Sequence, residues 1–130
     1  MYAEGYNNYD QYRQIAVQTA GPGKLLLMLY DGLTVFLKQA VQAVKDGEFG
    51  EAHRCLIRAQ DIITELMCTL DMKYEVAKNL FRIYDYLKRR LVEANVKKDS
   101  SIIEEVLGLV AELKETWEQI IEPSKVSASR

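Results

Sequence analysis

Apolar residues recur at helical spacing in four stretches of the chain, and nowhere do they alternate with the two-residue period of a strand. Counting ~100° per residue from Pro22 puts Leu25, Leu26, Leu29, Leu33, Phe36, Leu37, Ala40 and Val44 on one face. Lys24, Asp31, Thr34, Lys38 and Lys45 fall opposite. Pro22 suits the first helical position, where its missing N–H has no partner to lose. A second helix, from about Glu51 to Leu70, turns Ala52, Leu56, Ala59, Ile63, Leu66 and Leu70 inward. A third, from about Tyr74 to Ala94, turns in Ala77, Leu80, Tyr84, Leu87 and Leu91. The fourth opens on Ser101-Ile102-Ile103-Glu104, the pattern of a capping box in which Ser and Glu satisfy each other's free backbone N–H groups. Its inner face reads Ile102, Val106, Leu109, Val110, Leu113, Trp117 and Ile120.

Short polar clusters separate these stretches, at Asp46–Gly50, Asp71–Lys73 and Asn95–Ser100. Connections of roughly 3–6 residues join antiparallel neighbours in a bundle. The fold class is therefore all-α: an antiparallel helical bundle of four long helices, preceded by a short tyrosine-rich N-terminal segment. Residues 1–21 form that segment, a candidate docking helix. Residues 22–122 form the bundle, and 123–130 a small polar tail that frays.

The 130 residues fit one domain, 48% of them apolar and 28% charged, a globular balance. Seventeen Lys and Arg against nineteen Asp and Glu leave a net charge of −2, which offers no long-range attraction to nucleic acid or an anionic membrane. The longest apolar run, Leu25–Tyr30, is far short of the ~20 residues that span a bilayer, so membrane insertion is not expected. Met1–Asp10 lacks the basic and apolar regions of a signal peptide, and a cytoplasmic location is expected. Cys55 and Cys68, on one helix, would stand roughly 20 Å apart at ~1.5 Å per residue, too far to pair, and their spacing fits no zinc motif.

Catalytic signatures are missing from the sequence. A di-metal carboxylate site in a bundle needs Glu-x-x-His on two helices. His53 is the only histidine and has Gly50 three residues before it. Gly21-Pro22-Gly23-Lys24 has neither the preceding strand nor the spacing of a phosphate loop. Glu104 and Glu105 lie outward, where solvent keeps carboxylates ordinary. Lys88, Arg89 and Arg90 complement the helix dipole. Neither an enzyme nor a cofactor is expected.

Apolar residues off the core faces remain. Leu27, Met28 and Val35 do this on the first helix, and Ile57 and Cys68 share a stripe with Asp61 and Thr64 on the second. Phe81, Tyr86 and Val92 do so on the third and Leu107 on the fourth. Either they form a groove for a partner, or they are the edges of wide core stripes and a dimer contact. Tyr2, Tyr6, Tyr9 and Tyr12 fall in a segment that would otherwise read as a tail, and tails are normally poor in aromatics. The segment either packs permanently on the bundle or covers an apolar groove until a partner displaces it.

The ordered set Tyr9-x-x-Tyr12, Thr19-Ala20-x-Pro22, Lys24–Gly32, Ala59-Gln60-Asp61-Ile62-Ile63-x-Glu65-Leu66, Leu70-Asp71, and Tyr84-Asp85-Tyr86-x-x-Arg89-Arg90-Leu91-x-Glu93-Ala94-Asn95 resembles the flagellin-specific secretion chaperone family FliS. Trp117 stands where that family places its C-terminal tryptophan, and the similarity runs from Tyr9 to about Ile121. Gly21 departs from the family's more usual Ser or Thr, a slightly weaker helix cap. The resemblance implies a cytosolic bundle that binds the C-terminal segment of flagellin, blocks premature polymerisation and delivers its client to the flagellar export apparatus. It implies no nucleotide or metal, and leaves open an assembly regulator or co-chaperone as a further partner. On this reading Tyr9, Tyr12, Leu27, Met28, Tyr30, Val35, Ile57, Cys68, Phe81, Tyr86 and Leu107 are the expected partner-binding residues. An alternative role is a bundle adaptor or regulator that binds another amphipathic helix through the same stripe.

Overall fold

Four helices follow one another in a computed structural model that describes residues 22–123. They are α1 (Pro22–Lys45), α2 (Phe49–Cys68), α3 (Glu75–Lys97) and α4 (Ser100–Ile121). Each packs along two neighbours, α1 on α2 and α4, and α3 on α2 and α4, so the helices close into a ring around one core. Short links make consecutive helices antiparallel.

The links have local causes. Gly47 adopts the left-handed region at φ 73° and turns the chain after α1. Thr69 closes α2 by donating its hydroxyl to the Leu66 carbonyl at 2.7 Å. Lys98 ends α3 in the left-handed region, at φ 50°, where glycine is usual. Its ammonium folds back on Asn95, donating to the backbone oxygen at 2.6 Å and to Oδ1 at 2.7 Å. The backbone N–H of Asp99 then reaches the Ala94 carbonyl at 3.1 Å.

The start of α4 differs from the expected capping box. Asp99 is the cap, and its carboxylate accepts from the Ser101 backbone N–H at 2.9 Å and the Ser101 hydroxyl at 2.6 Å. Glu104 reaches Lys45 of α1 instead, at 3.2 Å.

The expected inner faces form the core except at Leu25, which is half-buried and lines the hollow at the bundle end, and among the described residues no charged side chain is buried. Cys55, Ile62 and Ile103 join it. Ile120, expected inward, is 63% exposed, because the inward place at this end of α4 is taken by Ile121, which packs close to Gly23.

One polar node sits in this apolar interior. The Trp117 indole N–H of α4 donates to the Tyr30 hydroxyl of α1 at 3.1 Å, and the Tyr30 and Tyr84 hydroxyls lie 2.5 Å apart. Both phenols are sealed from solvent, and loss of hydration pushes both pKa values up.

Candidate functional site

Two apolar hollows and one seam mark the outside of the bundle. The first hollow is a groove of about 480 Å³ between α3 and α4. Ile83 and Tyr86 form one wall, Leu109 and Leu113 the other, with Arg82 and Glu112 on opposite lips. Tyr86 has its polar end fixed, because its hydroxyl donates to Glu105 Oε2 at 2.7 Å. Arg90 holds the other carboxylate oxygen of Glu105 through Nε at 3.1 Å and Nη2 at 2.7 Å. The Arg90 and Tyr86 hydrogen bonds keep the Glu105 carboxyl below the usual range. Arg90 also meets Glu93 at 2.7 Å, and Glu93 meets Lys97 at 2.9 Å. This chain of charges locks α3 to α4 beside the groove.

The second hollow, also about 480 Å³, lies at the end of the bundle where α1 begins and α4 finishes. Leu25, Leu26, Tyr74, Leu80, Trp117 and Ile121 line it, and Tyr84 forms part of its wall. Close packing defines its rim: a Cβ added to Gly23 would stand 3.0 Å from Ile121 Cγ2.

The seam runs between α2 and α3. Lys88 donates to the Thr64 hydroxyl at 2.8 Å, and the Asn95 amide lies 2.9 Å from His53 Nδ1. Ile57 is one turn after His53 and seven residues before Thr64, on the same side of α2. Phe81 and Val92 flank Lys88 at seven and four residues on α3. Ile57, Cys68, Phe81 and Val92 are all exposed along this seam.

The expected partner-binding residues therefore divide. Ile57, Cys68 and Phe81 share the seam, Tyr86 stands at the α3–α4 groove, and Val35 is exposed on α1 away from both. Leu27, Met28 and Tyr30 are corrections, since all three are buried. Tyr30 turns inward because Tyr84 and Trp117 satisfy its hydroxyl. Leu27 and Met28 lie at the flanks of the α1 face, which is wider than the stripe read from the sequence. Leu107 is half-buried and packs against the core. Tyr9 and Tyr12 lie outside the described residues.

Sequence reasoning missed Ile83 on the groove wall and Tyr74 and Val76 at the end hollow. A signal was present: Val76 and Ile83 stand seven apart, on one side of α3, off its core face. Among the described residues no group of three His, Cys, Asp or Glu side chains could hold a metal. No helix among them is long and apolar enough to cross a membrane.

Over residues 5–124 the sequence matches the family model described as flagellar protein FliS. The chain belongs to the FliS family. It is similar to the flagellar secretion chaperone FliS of Bacillus subtilis (strain 168), 40% identical over 92% of this chain and 90% of that protein. It is also similar to the flagellar secretion chaperone FliS of Salmonella typhimurium, 36% identical over 98% of both. A crystal structure of a flagellar chaperone from bacteria shares the fold, with a TM-score of 0.74, 16% identity, and coverage of 92% of this chain and 98% of that one. FliS is a family of chaperones and not of enzymes.

Proposed function

We propose that the chain is a cytoplasmic export chaperone that binds the C-terminal segment of flagellin, keeps it from polymerising early and hands it to the flagellar export apparatus. The α3–α4 groove carries this reading, for it leaves Ile83 and Tyr86 facing solvent on a rigid bundle. A segment that pairs helically in a filament can lay the same apolar stripe into such a groove, anchored at i, i+3, i+4 and i+7. Ordering the segment lowers net affinity by ~2–5 kcal/mol while a large surface is covered, which suits a client that must be released. The exposed seam of Ile57, Cys68 and Phe81 extends the surface such a wrapped client would cover. Tyr9 and Tyr12 belong to the same proposal, on or beside the client path.

Titration with a peptide from the C-terminal region of the cognate flagellin, followed by circular dichroism, tests it. Helix content should exceed the sum of the two parts. Tyr12→Ala should weaken the complex. No gain of helix, or no binding at micromolar concentration, would refute the reading.

A further inference from the structure

The charges of α3 and α4 are arranged asymmetrically. Helix α3 carries six basic and three acidic side chains, and α4 carries five acidic and one basic. Most of these have partners. Arg90 is held by Glu105 and Glu93, Arg89 by Asp85, Lys78 by Glu75, and Lys114 by Asp31. Five have no ion pair among the described residues: Arg82 and Lys88 on α3, and Glu112, Glu115 and Glu118 on α4. Of these, Arg82 and Glu112 line the groove. Arg82 touches only the neutral Asn79 side chain, at 3.3 Å, and Glu112 forms no ion pair among the described residues. Both are exposed, and they stand on opposite lips without meeting each other. Between them the floor is apolar. A groove with an apolar lining, and on its lips a cation and an anion that have no ion-pair partner among the described residues, is complementary to a particular kind of helix.

We propose that this groove selects an amphipathic helix by the charges on its two edges, seating carboxylates against Arg82 and Lys or Arg against Glu112 while the apolar stripe covers Ile83, Tyr86, Leu109 and Leu113. The inference rests on the chaperone reading above and adds the chemistry of the client at this site. Lip charges act through rate of encounter and through rejection of helices with the wrong edges, and the apolar floor supplies most of the affinity. A helix with like charges on both edges meets one attraction and one repulsion here.

The test uses the full chain and three synthetic 18-residue helices sharing one leucine stripe. One has Glu along one edge and Lys along the other, one has Glu on both, and one has Lys on both. The wild-type chain should bind the mixed-edge helix best, by about fivefold at low salt, since two exposed ion pairs replace one pair and one repulsion. Arg82→Glu should move the preference to the Lys-edged helix, and Glu112→Lys to the Glu-edged helix. Lys38→Glu and Glu48→Lys make the same changes of net charge at exposed sites off the groove, and should leave the ranking as in wild type. Circular dichroism of each variant confirms the fold. A ranking that ignores the lip substitutions, or that follows the two control substitutions equally, overturns the inference. Displacement of the mixed-edge helix by the cognate flagellin peptide would support both readings. If the lip preferences hold and flagellin does not compete, the charge rule stands and the assignment of flagellin to this groove fails.

Discussion

The Tyr30 and Tyr84 hydroxyls lie 2.5 Å apart and so join α1 to α3, two helices that otherwise face each other across the core without packing. Trp117 adds α4 to the pair by donating to Tyr30. Tyr30 thus bonds directly to both partners, while the Trp117 indole bears only secondarily on Tyr84. Tyr30→Phe should cost about 1–3 kcal/mol, the penalty of a buried phenol and a partly buried indole N–H left without their partner. Tyr84→Phe should cost less. Urea denaturation of the two variants measures the order, and a Tyr84 variant as destabilised as the Tyr30 variant would refute it.

The same node predicts alkaline sensitivity. Burial raises the pKa of both phenols above the ordinary 10.0. In the unfolded chain they ionise near that value, while in the folded protein burial holds their protons to higher pH. The stabilisation is therefore complete below about pH 10 and falls as pH rises beyond it, by up to about 1.4 kcal/mol per pH unit for each phenol. Melting temperature between pH 8 and 11 should drop steeply only above pH 10, and the double Phe variant should lose most of that slope.

Asp99, and not Ser101, caps α4. Asp99→Ala should lower stability by about 1 kcal/mol, and Ser101→Ala by less. Hydrogen bonds from the Ser101 side chain and backbone hold the Asp99 carboxyl below the usual range, so the cap persists in mild acid and is lost as pH falls through that lowered value. The two variants should converge in stability under strongly acidic conditions.

Gly108 stands mid-helix on α4 with open space where a side chain would begin. Gly108→Ala should stabilise the bundle by about 0.5–1 kcal/mol, because alanine loses less backbone freedom on folding. Thermal melts compare it with wild type.

Burial separates the expected partner-binding residues by what their loss does. Leu27→Ala and Met28→Ala should cost about 2 kcal/mol or more of stability, since both side chains are buried. Ile57→Ala and Phe81→Ala should stay within about 1 kcal/mol of wild type and instead weaken flagellin binding. Denaturation and titration on the same four variants check the division.

Much of the fold was legible because the helical period repeats strongly and the turns carry glycine or polar clusters. The site was less so. A wheel places Tyr30 by angle and polarity, but its burial depends on Trp117, far along the chain, and no local pattern reports that bond. Leu27 and Met28 read as exposed because a narrow stripe was assumed, whereas a helix with two packed neighbours buries a broad one. At the head of α4 the capping-box pattern pointed to Ser101 and passed over Asp99, two residues earlier. The choice fell to the carboxylate, with Glu104 drawn instead to Lys45. Ile83 was overlooked although it lies off the core face of α3, because only the position of α4 turns that side of the helix into a groove wall.

Trp117 is the only tryptophan, its ring nitrogen is pinned by Tyr30, and its ring lines the hollow at the end of the bundle. The molecule therefore carries its own light-emitting gauge at one fixed spot. Anything that enters that hollow, or pulls α4 away from α1, should change the colour and brightness of its emission without a dye being attached.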